Sequence, residues 1–160
     1  MTKKTIKTEN VLEVYQVLSG AKFSKLDGSE QTKLVGILLA FEPVAKKYEQ
    51  QTKTASEKLK EAYPNFDEMA TKANTFREML RVPNVEADKL PMGAAEYQAF
   101  VTGPWAELNK RVAESVKAIG EKPVEVEFEP ISVALREKLM ESNSSTWTIG
   151  HGKVLATITE

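Results

Sequence analysis

The fold is decided by residues 34–62, which read LVGILLAFEPVAKKYEQQTKTASEKLKEA. Apolar or small residues recur along this stretch in alternating steps of four and three. These positions are Leu34, Leu38, Phe41, Ala45, Tyr48, Thr52, Ala55, Leu59 and Ala62. Such spacing is typical of a helix that packs lengthwise on another helix. The stretch therefore predicts a long helix with a packing seam, and it indicates little about function.

The long helix has a clear start signal and one internal proline. Asp27 and Glu30 are spaced as a capping box, which predicts a helix from about Ser29 to Ala62. Pro43 removes one backbone donor and crowds the preceding turn, so it allows either one kinked helix or two helices. Because the seam keeps its phase across Pro43, one kinked helix is favoured.

A second apolar stripe lies in a fourth helical region, which starts near Ala94 and ends at Gly120. Gly103-Pro104 either kinks or divides this region. The stripe consists of Val101, Trp105, Leu108, Val112, Val116 and Ile119. Its spacing and apolar content match those of the seam, so we predict that the two stripes pack together as a long antiparallel helical hairpin.

Three shorter helices are predicted around this hairpin. The first begins at Thr8, the third runs from about Asp67 with Leu80 on its inward face, and the fifth covers residues 131–141. Residues 1–8, which include three lysines, are predicted to form a disordered tail.

The C-terminal part predicts a small β element. Val124, Val126 and Phe128 alternate with glutamates at residues 125, 127 and 129, as in a half-buried strand with a solvated face. Residues 146–159 allow a β-hairpin or a short amphipathic helix from Lys153, and the apolar alternation favours the hairpin. The predicted fold class is mainly α, with a long antiparallel helical hairpin, short helices and this β element, in a single domain covering residues 1–160.

Composition and charge narrow the classes of function. The formal net charge of −1 gives no overall field that would attract nucleic acid or an anionic membrane. There is no cysteine, hence no disulfide, thiolate nucleophile or cysteine-ligated metal site. No apolar run is long enough to span a bilayer, and no signal-peptide pattern follows the N-terminal lysines. A soluble cytoplasmic protein that binds neither nucleic acid nor membrane is expected.

Residues that would carry chemistry are few. His151 is the only histidine, and the turn-like Gly150-His151-Gly152 either presents it to a substrate or metal or simply exposes a turn residue. The glutamates at 125, 127 and 129 lie about 6–7 Å apart along a strand, which is too wide for one cation. Phosphate-binding glycine loops and the GxSxG motif are absent. No catalytic, cofactor-binding or metal-ligating residue is predicted, and no cofactor.

Four residues are candidates for contacts with a partner. Trp105 and Trp147 are the two largest apolar side chains, and tryptophan is enriched at binding hot spots. Tyr48 and Leu59 lie on the seam, whose second half is rich in small residues that permit close helix approach, either within the chain or between chains. A twofold dimer would place Tyr48 and Leu59 near its centre.

The second half of the chain resembles a group of small helical-hairpin proteins of tailed bacteriophages. The resemblance is carried by the helix containing residues 105–109 (WAELN), by PVEVEF at residues 123–128 and by Pro130-Ile131-Ser132 before a short helix. Residues 147–152 depart from the pattern of the group. The resemblance implies a phage or prophage origin and carries over no catalytic residue.

These observations predict a non-enzymatic binding or assembly protein, in particular a phage accessory protein that engages a protein partner or itself through its long helices. One alternative is a phage-encoded inhibitor of a host factor. A hydrolase that uses His151 is a further alternative. Exposed apolar surface on the long helices would favour binding, whereas a cleft joining His151 to buried carboxylates would favour an enzyme.

Overall fold

The computed structural model describes residues 1–160 and is mainly helical, with one two-stranded antiparallel sheet. The strands are β1 (Thr2–Lys7) and β2 (Pro123–Phe128). The helices are α1 (Thr8–Ser19), α2 (Gly28–Lys60), α3 (Phe66–Met79), α4 (Ala94–Phe100), α5 (Ala106–Gly120), α6 (Val133–Ser142) and α7 (Ile149–Ala156). A 3₁₀ turn covers Ala87–Lys89, and a π-helical segment covers Val101–Trp105. None of the helices combines the length and apolar character that crossing a membrane requires.

The chain divides into two compact units. The first unit contains residues 1–51 and 118–160, and the second contains residues 52–117. Each unit has its own hydrophobic core. The prediction that residues 1–160 form one domain stays a prediction, because two compact units can belong to one domain.

The prediction of a disordered tail over residues 1–8 is wrong. Residues 2–7 form β1, which pairs with β2 in a register from Thr2–Phe128 to Lys7–Pro123. Ile6 is buried, and the Lys4 ammonium lies 5.7 Å from the centre of the Phe128 ring. The backbone partners of β1 belong to β2, more than a hundred residues later in the chain. The sequence around β1 therefore gives no sign of the pairing.

The predicted strand at residues 123–129 is confirmed as β2. Val126 and Phe128 are buried, whereas the three glutamates at 125, 127 and 129 are exposed. The Phe128 ring meets Phe41 edge to face, with ring centres 5.2 Å apart. Aromatic pairs favour this geometry, so β2 and the start of α2 share one core.

Helix α2 begins as the sequence predicts and continues through its proline. The Glu30 backbone amide donates to the Asp27 carboxylate over 2.9 Å, and the Asp27 amide donates to the Glu30 carboxylate over 3.0 Å. Pro43 lies inside one uninterrupted helix, which excludes the two-helix alternative. Along the seam, burial is complete at Phe41 and partial from residue 48 to residue 59.

The predicted C-terminal hairpin is wrong, because residues 149–156 form helix α7. Leu155 and Ile158 are both fully buried. Residues three apart share a face of a helix but point to opposite faces of a strand, so only the helical form lets both enter the core. The Ile131 amide then donates to the carbonyl of Ile158 over 2.9 Å, which ties the end of the chain to the start of α6.

The second unit is built from the end of α2, from α3 and from residues 94–117 of the helical run that follows. Its core contains Ala73, Phe76, Met92 and Phe100. Leu80, which was expected to face inward, lies just beyond α3 and is 60% exposed, so that expectation is wrong. Pro104 neither ends nor splits the fourth region, since the π-helical segment joins α4 to α5.

Candidate functional site

A cluster of four aromatic side chains in the second unit is the most distinctive feature of the molecule. Phe66 lies at its centre, with its ring centre 6.4 Å from that of Tyr63, 5.4 Å from that of Phe100 and 6.0 Å from that of Trp105. Phe100 and Trp105 meet edge to face at 5.5 Å. The cluster thus joins the turn after α2, the start of α3 and the π-helical segment.

The turn between α2 and α3 places Tyr63 and Phe66 side by side. The Tyr63 amide donates to the Lys60 carbonyl over 2.9 Å, and the Phe66 amide donates to the Tyr63 carbonyl over 3.2 Å. Asn65 adopts the left-handed conformation with φ of 61°, which asparagine tolerates better than most residues. The turn at Tyr63-Pro64-Asn65 therefore separates α2 from α3 and brings two aromatic rings together.

The π-helical segment brings Trp105 onto the same side as Phe100. In an α-helix, residues five positions apart point about 140° away from each other, because each residue turns the helix by about 100°. In a π-helix the bonded residues are five apart, so positions 100 and 105 lie on one side. Pro104 lies within this segment and has no backbone donor to contribute. Such π-helical turns often occur at functional sites.

An open cavity of about 430 Å³ adjoins the aromatic cluster, and we call it the aromatic groove. Its lining is almost entirely apolar. The residues are Ala62, Tyr63, Pro64, Phe66, Met69, Glu96, Ala99, Phe100 and Pro104. Phe100 is buried, Tyr63 and Phe66 are half-buried, and Pro64, Ala99 and Pro104 are exposed at the surface. A volume of this size lies within the range of about 300–1,000 Å³ that ligand sites occupy.

Acidic side chains line the aromatic groove and a depression beside it. Glu96 lines it directly, and an adjoining depression that shares Tyr63 and Phe66 is lined by four further acids and by Lys60. These acids are Glu57, Glu61, Asp67 and Glu68. We call the five acids together the acidic rim.

Three cations lie close to the acidic rim or the groove. The Lys60 ammonium is 2.9 Å from the Asp67 carboxylate, and the Lys72 ammonium is 2.7 Å from the Glu68 carboxylate. The hydrogen bond from Lys72 lowers the pKa of Glu68 below its ordinary value. The Arg111 guanidinium donates to the Tyr63 hydroxyl over 3.5 Å. The acids of the rim outnumber these cations.

Two of the four predicted contact residues belong to the second unit. Trp105 is half-buried and packs in the aromatic cluster beside the groove. Leu59 is half-buried on the last turn of α2. Only Trp105 is therefore part of the candidate site.

The other two candidates belong to the first unit. Tyr48 is half-buried and lines a cavity of about 320 Å³ with Ile119 and Val124. Trp147 is half-buried and stacks on the His151 ring, with ring centres 5.4 Å apart and an interplanar angle of 3°. The four candidates thus do not form one site.

His151 has a structural partner on each side. The Thr148 backbone amide donates to Nδ1 of His151 over 3.0 Å, which closes a capping box at the start of α7. The neutral imidazole then carries its proton on Nε2. The ring is half-buried against Trp147, so the expectation of an exposed turn residue is wrong. No group of three or more histidine or acidic side chains is placed to hold a metal ion.

The sequence analysis missed three of the four aromatic residues in the cluster. Tyr63, Phe66 and Phe100 were not singled out. A usable signal was present, since Phe66 directly follows the turn-forming Pro64-Asn65 and Phe100 and Trp105 are five positions apart around a glycine and a proline. No protein-family model, curated protein or solved structure matches this chain.

Proposed function

We propose that the protein is a non-enzymatic binding module that holds a segment of another protein in the aromatic groove. The observation that carries this proposal is the open apolar lining beside Tyr63, Phe66, Phe100 and Trp105. Aromatic side chains offer a large contact area at a low cost in conformational entropy, and they dominate the energetics of protein interfaces. An apolar side chain that enters the groove loses contact with water and gains packing on several rings.

The lining of the groove supports binding over catalysis. Only Tyr63 and Glu96 among its residues carry a titratable side chain, and the Tyr63 hydroxyl is already held by Arg111. Active sites usually gather several polar groups around the reacting atoms. The groove offers instead a wide apolar floor, which is the surface that an apolar anchor of a partner protein needs.

The proposal extends to a phage accessory protein that acts in the cytoplasm of the host cell. The resemblance to small phage proteins supports this extension, because its order of elements agrees with α5, β2 and the Ser132-capped helix α6. We also propose that α2 and residues 101–119 form a long antiparallel hairpin. In support, Leu108 is buried. Tyr48 lies beside Gly120, whereas Tyr63, which follows α2, contacts the earlier residue Arg111, as two segments that run in opposite directions would require.

Self-association through Tyr48 and Leu59 stays a prediction. Both side chains are half-buried, so part of each remains at the surface. Sedimentation at micromolar concentration tests it, and a dimer that Leu59→Glu dissociates without unfolding is the expected result. A monomer at all concentrations would leave only the partner hypothesis.

Selection from a random peptide library displayed on a carrier tests the binding function. We compare the wild type with Ala99→Gln, which adds a polar amide to the groove, and with the matched control Ala94→Gln, which lies exposed at the start of the same helix and outside the groove lining. The peptides selected by the wild type should bind Ala99→Gln about tenfold more weakly, because an unpaired amide against an apolar anchor is costly. The control should bind them as the wild type does.

Circular dichroism shows whether the variants remain folded. Both alanines are exposed, so their melting temperatures should stay close to that of the wild type. If the wild type selects no peptide, or if Ala99→Gln binds the selected peptides as well as the control does, the groove is not a protein-binding site and the proposed function fails.

A further inference from the structure

The acidic rim indicates which kind of segment the aromatic groove binds. Resting on the proposed function, we infer that the bound segment is basic: an apolar anchor occupies the groove, and flanking lysine or arginine side chains pair with carboxylates of the rim. Charge complementarity of this kind increases the rate of association and excludes wrong partners.

Three carboxylates of the rim have no cation bonded to them. Glu57 lies on the last turn of α2 and Glu61 directly follows the helix, where its amide donates to the Glu57 carbonyl over 3.3 Å and both side chains line the depression. Glu96 projects from the first turn of α4 into the groove. In contrast, Asp67 and Glu68 are already paired with lysines. An incoming cation therefore finds free carboxylates and breaks no existing ion pair.

The cations near the groove leave this acidic surface in place. Lys60 and Lys72 are each bonded to an acid of the rim. The hydrogen bond that Lys72 donates to Glu68 raises the pKa of Lys72 above its ordinary value, and the charge of Glu96 acts on it in the same direction. Arg111 is bonded to the Tyr63 hydroxyl.

The same charges argue against three other occupants. A second copy of the chain in a twofold contact would bring one acidic rim against the other, because the same patch faces itself. An anionic membrane or a nucleic acid would bring phosphate groups toward the free carboxylates. A basic segment of a different protein satisfies both the apolar floor and the charged rim.

Three synthetic peptides test the inference. Leucines recur in each at steps of three and four, and the remaining positions are all lysine, all glutamine or all glutamate. The protein carries Trp147→Phe, so that Trp105 beside the groove is the only fluorophore of its kind. We expect the lysine peptide to bind at least about tenfold more tightly than the glutamate peptide at low salt. This ratio should fall as salt is added, since exposed charges are screened within about 10 Å at 0.1 M.

A charge-neutralising variant and its control locate the effect. Glu61→Gln with Glu96→Gln should reduce the affinity for the lysine peptide about threefold or more and leave the glutamine peptide unchanged. Glu127→Gln with Glu137→Gln removes the same charge from exposed positions of the first unit and should change neither affinity.

Each outcome separates the inference from the proposed function. If the glutamine peptide binds as tightly as the lysine peptide and Ala99→Gln weakens both, the groove binds proteins but the inference is overturned. If Ala99→Gln weakens none of the peptides, the proposed function itself fails. If phosphatidylserine vesicles bind the protein more tightly than the lysine peptide does, the occupant is a membrane and the inference is again overturned.

Discussion

Replacement of Asn143 by alanine should destabilise the first unit strongly. Asn143 is the one buried polar side chain of the chain, with 1% exposure. Its Oδ1 accepts from the Lys22 amide over 2.7 Å, and its Nδ2 donates to the carbonyls of Lys22 and Leu139 over 3.0 and 2.9 Å. One side chain thus fastens the connector after α1 to the end of α6.

The magnitude follows from these three hydrogen bonds. Each hydrogen bond contributes about 0.5–1.5 kcal/mol net, and a backbone group left buried without a partner adds to the loss. Asn143→Ala should therefore lower the free energy of unfolding by about 2–4 kcal/mol. The free energy of unfolding of a native protein is typically about 5–15 kcal/mol, so this loss would be a large fraction of the stability.

Urea denaturation at 25 °C, followed by circular dichroism, measures the change. Asn109→Ala is the matched control, because Asn109 is exposed on α5 and its replacement should change the free energy by no more than about 0.5 kcal/mol. If Asn143→Ala loses no more stability than Asn109→Ala, the three hydrogen bonds do not hold the connector and the reasoning is refuted.

Three further predictions concern packing, capping and charge. Leu108→Ala should lower the free energy of unfolding by about 2–5 kcal/mol because Leu108 is buried, and a loss below about 1 kcal/mol would contradict its packing. Asp27→Ala should cost about 1 kcal/mol in the same assay, since it removes the bond that caps α2 at the Glu30 amide; an unchanged midpoint would argue against the cap. Lys33→Met should raise the pKa of Glu129 in an NMR titration, because the hydrogen bond from Lys33 lowers it. A lowered pKa in the folded state stabilises the fold above the unfolded-state pKa and loses this effect as the pH falls, so the variant and the wild type should converge in stability at acidic pH.

The parts of the fold that local patterns encode were predictable from the sequence. The capping box of Asp27 and Glu30 predicted the start of α2, the constant phase of the seam predicted its continuity through Pro43, and strict alternation predicted β2. Each of these signals lies within a few residues of the feature that it predicts, so no tertiary contact had to be known.

The parts that depend on distant contacts were not predictable. Strand β1 takes its backbone partners from residues 123–128, and Asn143 takes two of its three from Lys22. Over residues 146–159, the apolar positions fit either a hairpin or a helix, and only the shared burial of Leu155 in α7 and of Ile158 just after it decides between the two.

The candidate site was predictable only at Trp105. The rings of the aromatic cluster come from three separate segments of the chain. Phe100 and Trp105 meet only because the segment between them is π-helical, which the sequence analysis did not predict. Tyr63 and Phe66 come together through the tight turn that contains the left-handed Asn65. The acids of the rim are ordinary surface residues in the sequence, and they become a group only when α2, α3 and α4 meet.

The two separate parts of the first unit are synthesised at different times. β1 leaves the ribosome on the order of a hundred residues before β2, and at about 5–20 residues per second the delay is about 5–20 s. Residues 52–117, in contrast, form one continuous stretch and can complete their core before the chain is finished. During the delay β1 is an unpaired strand on a nascent chain. Its lysines at positions 3, 4 and 7 then discourage pairing with strands of neighbouring chains, a role that ends when β2 arrives.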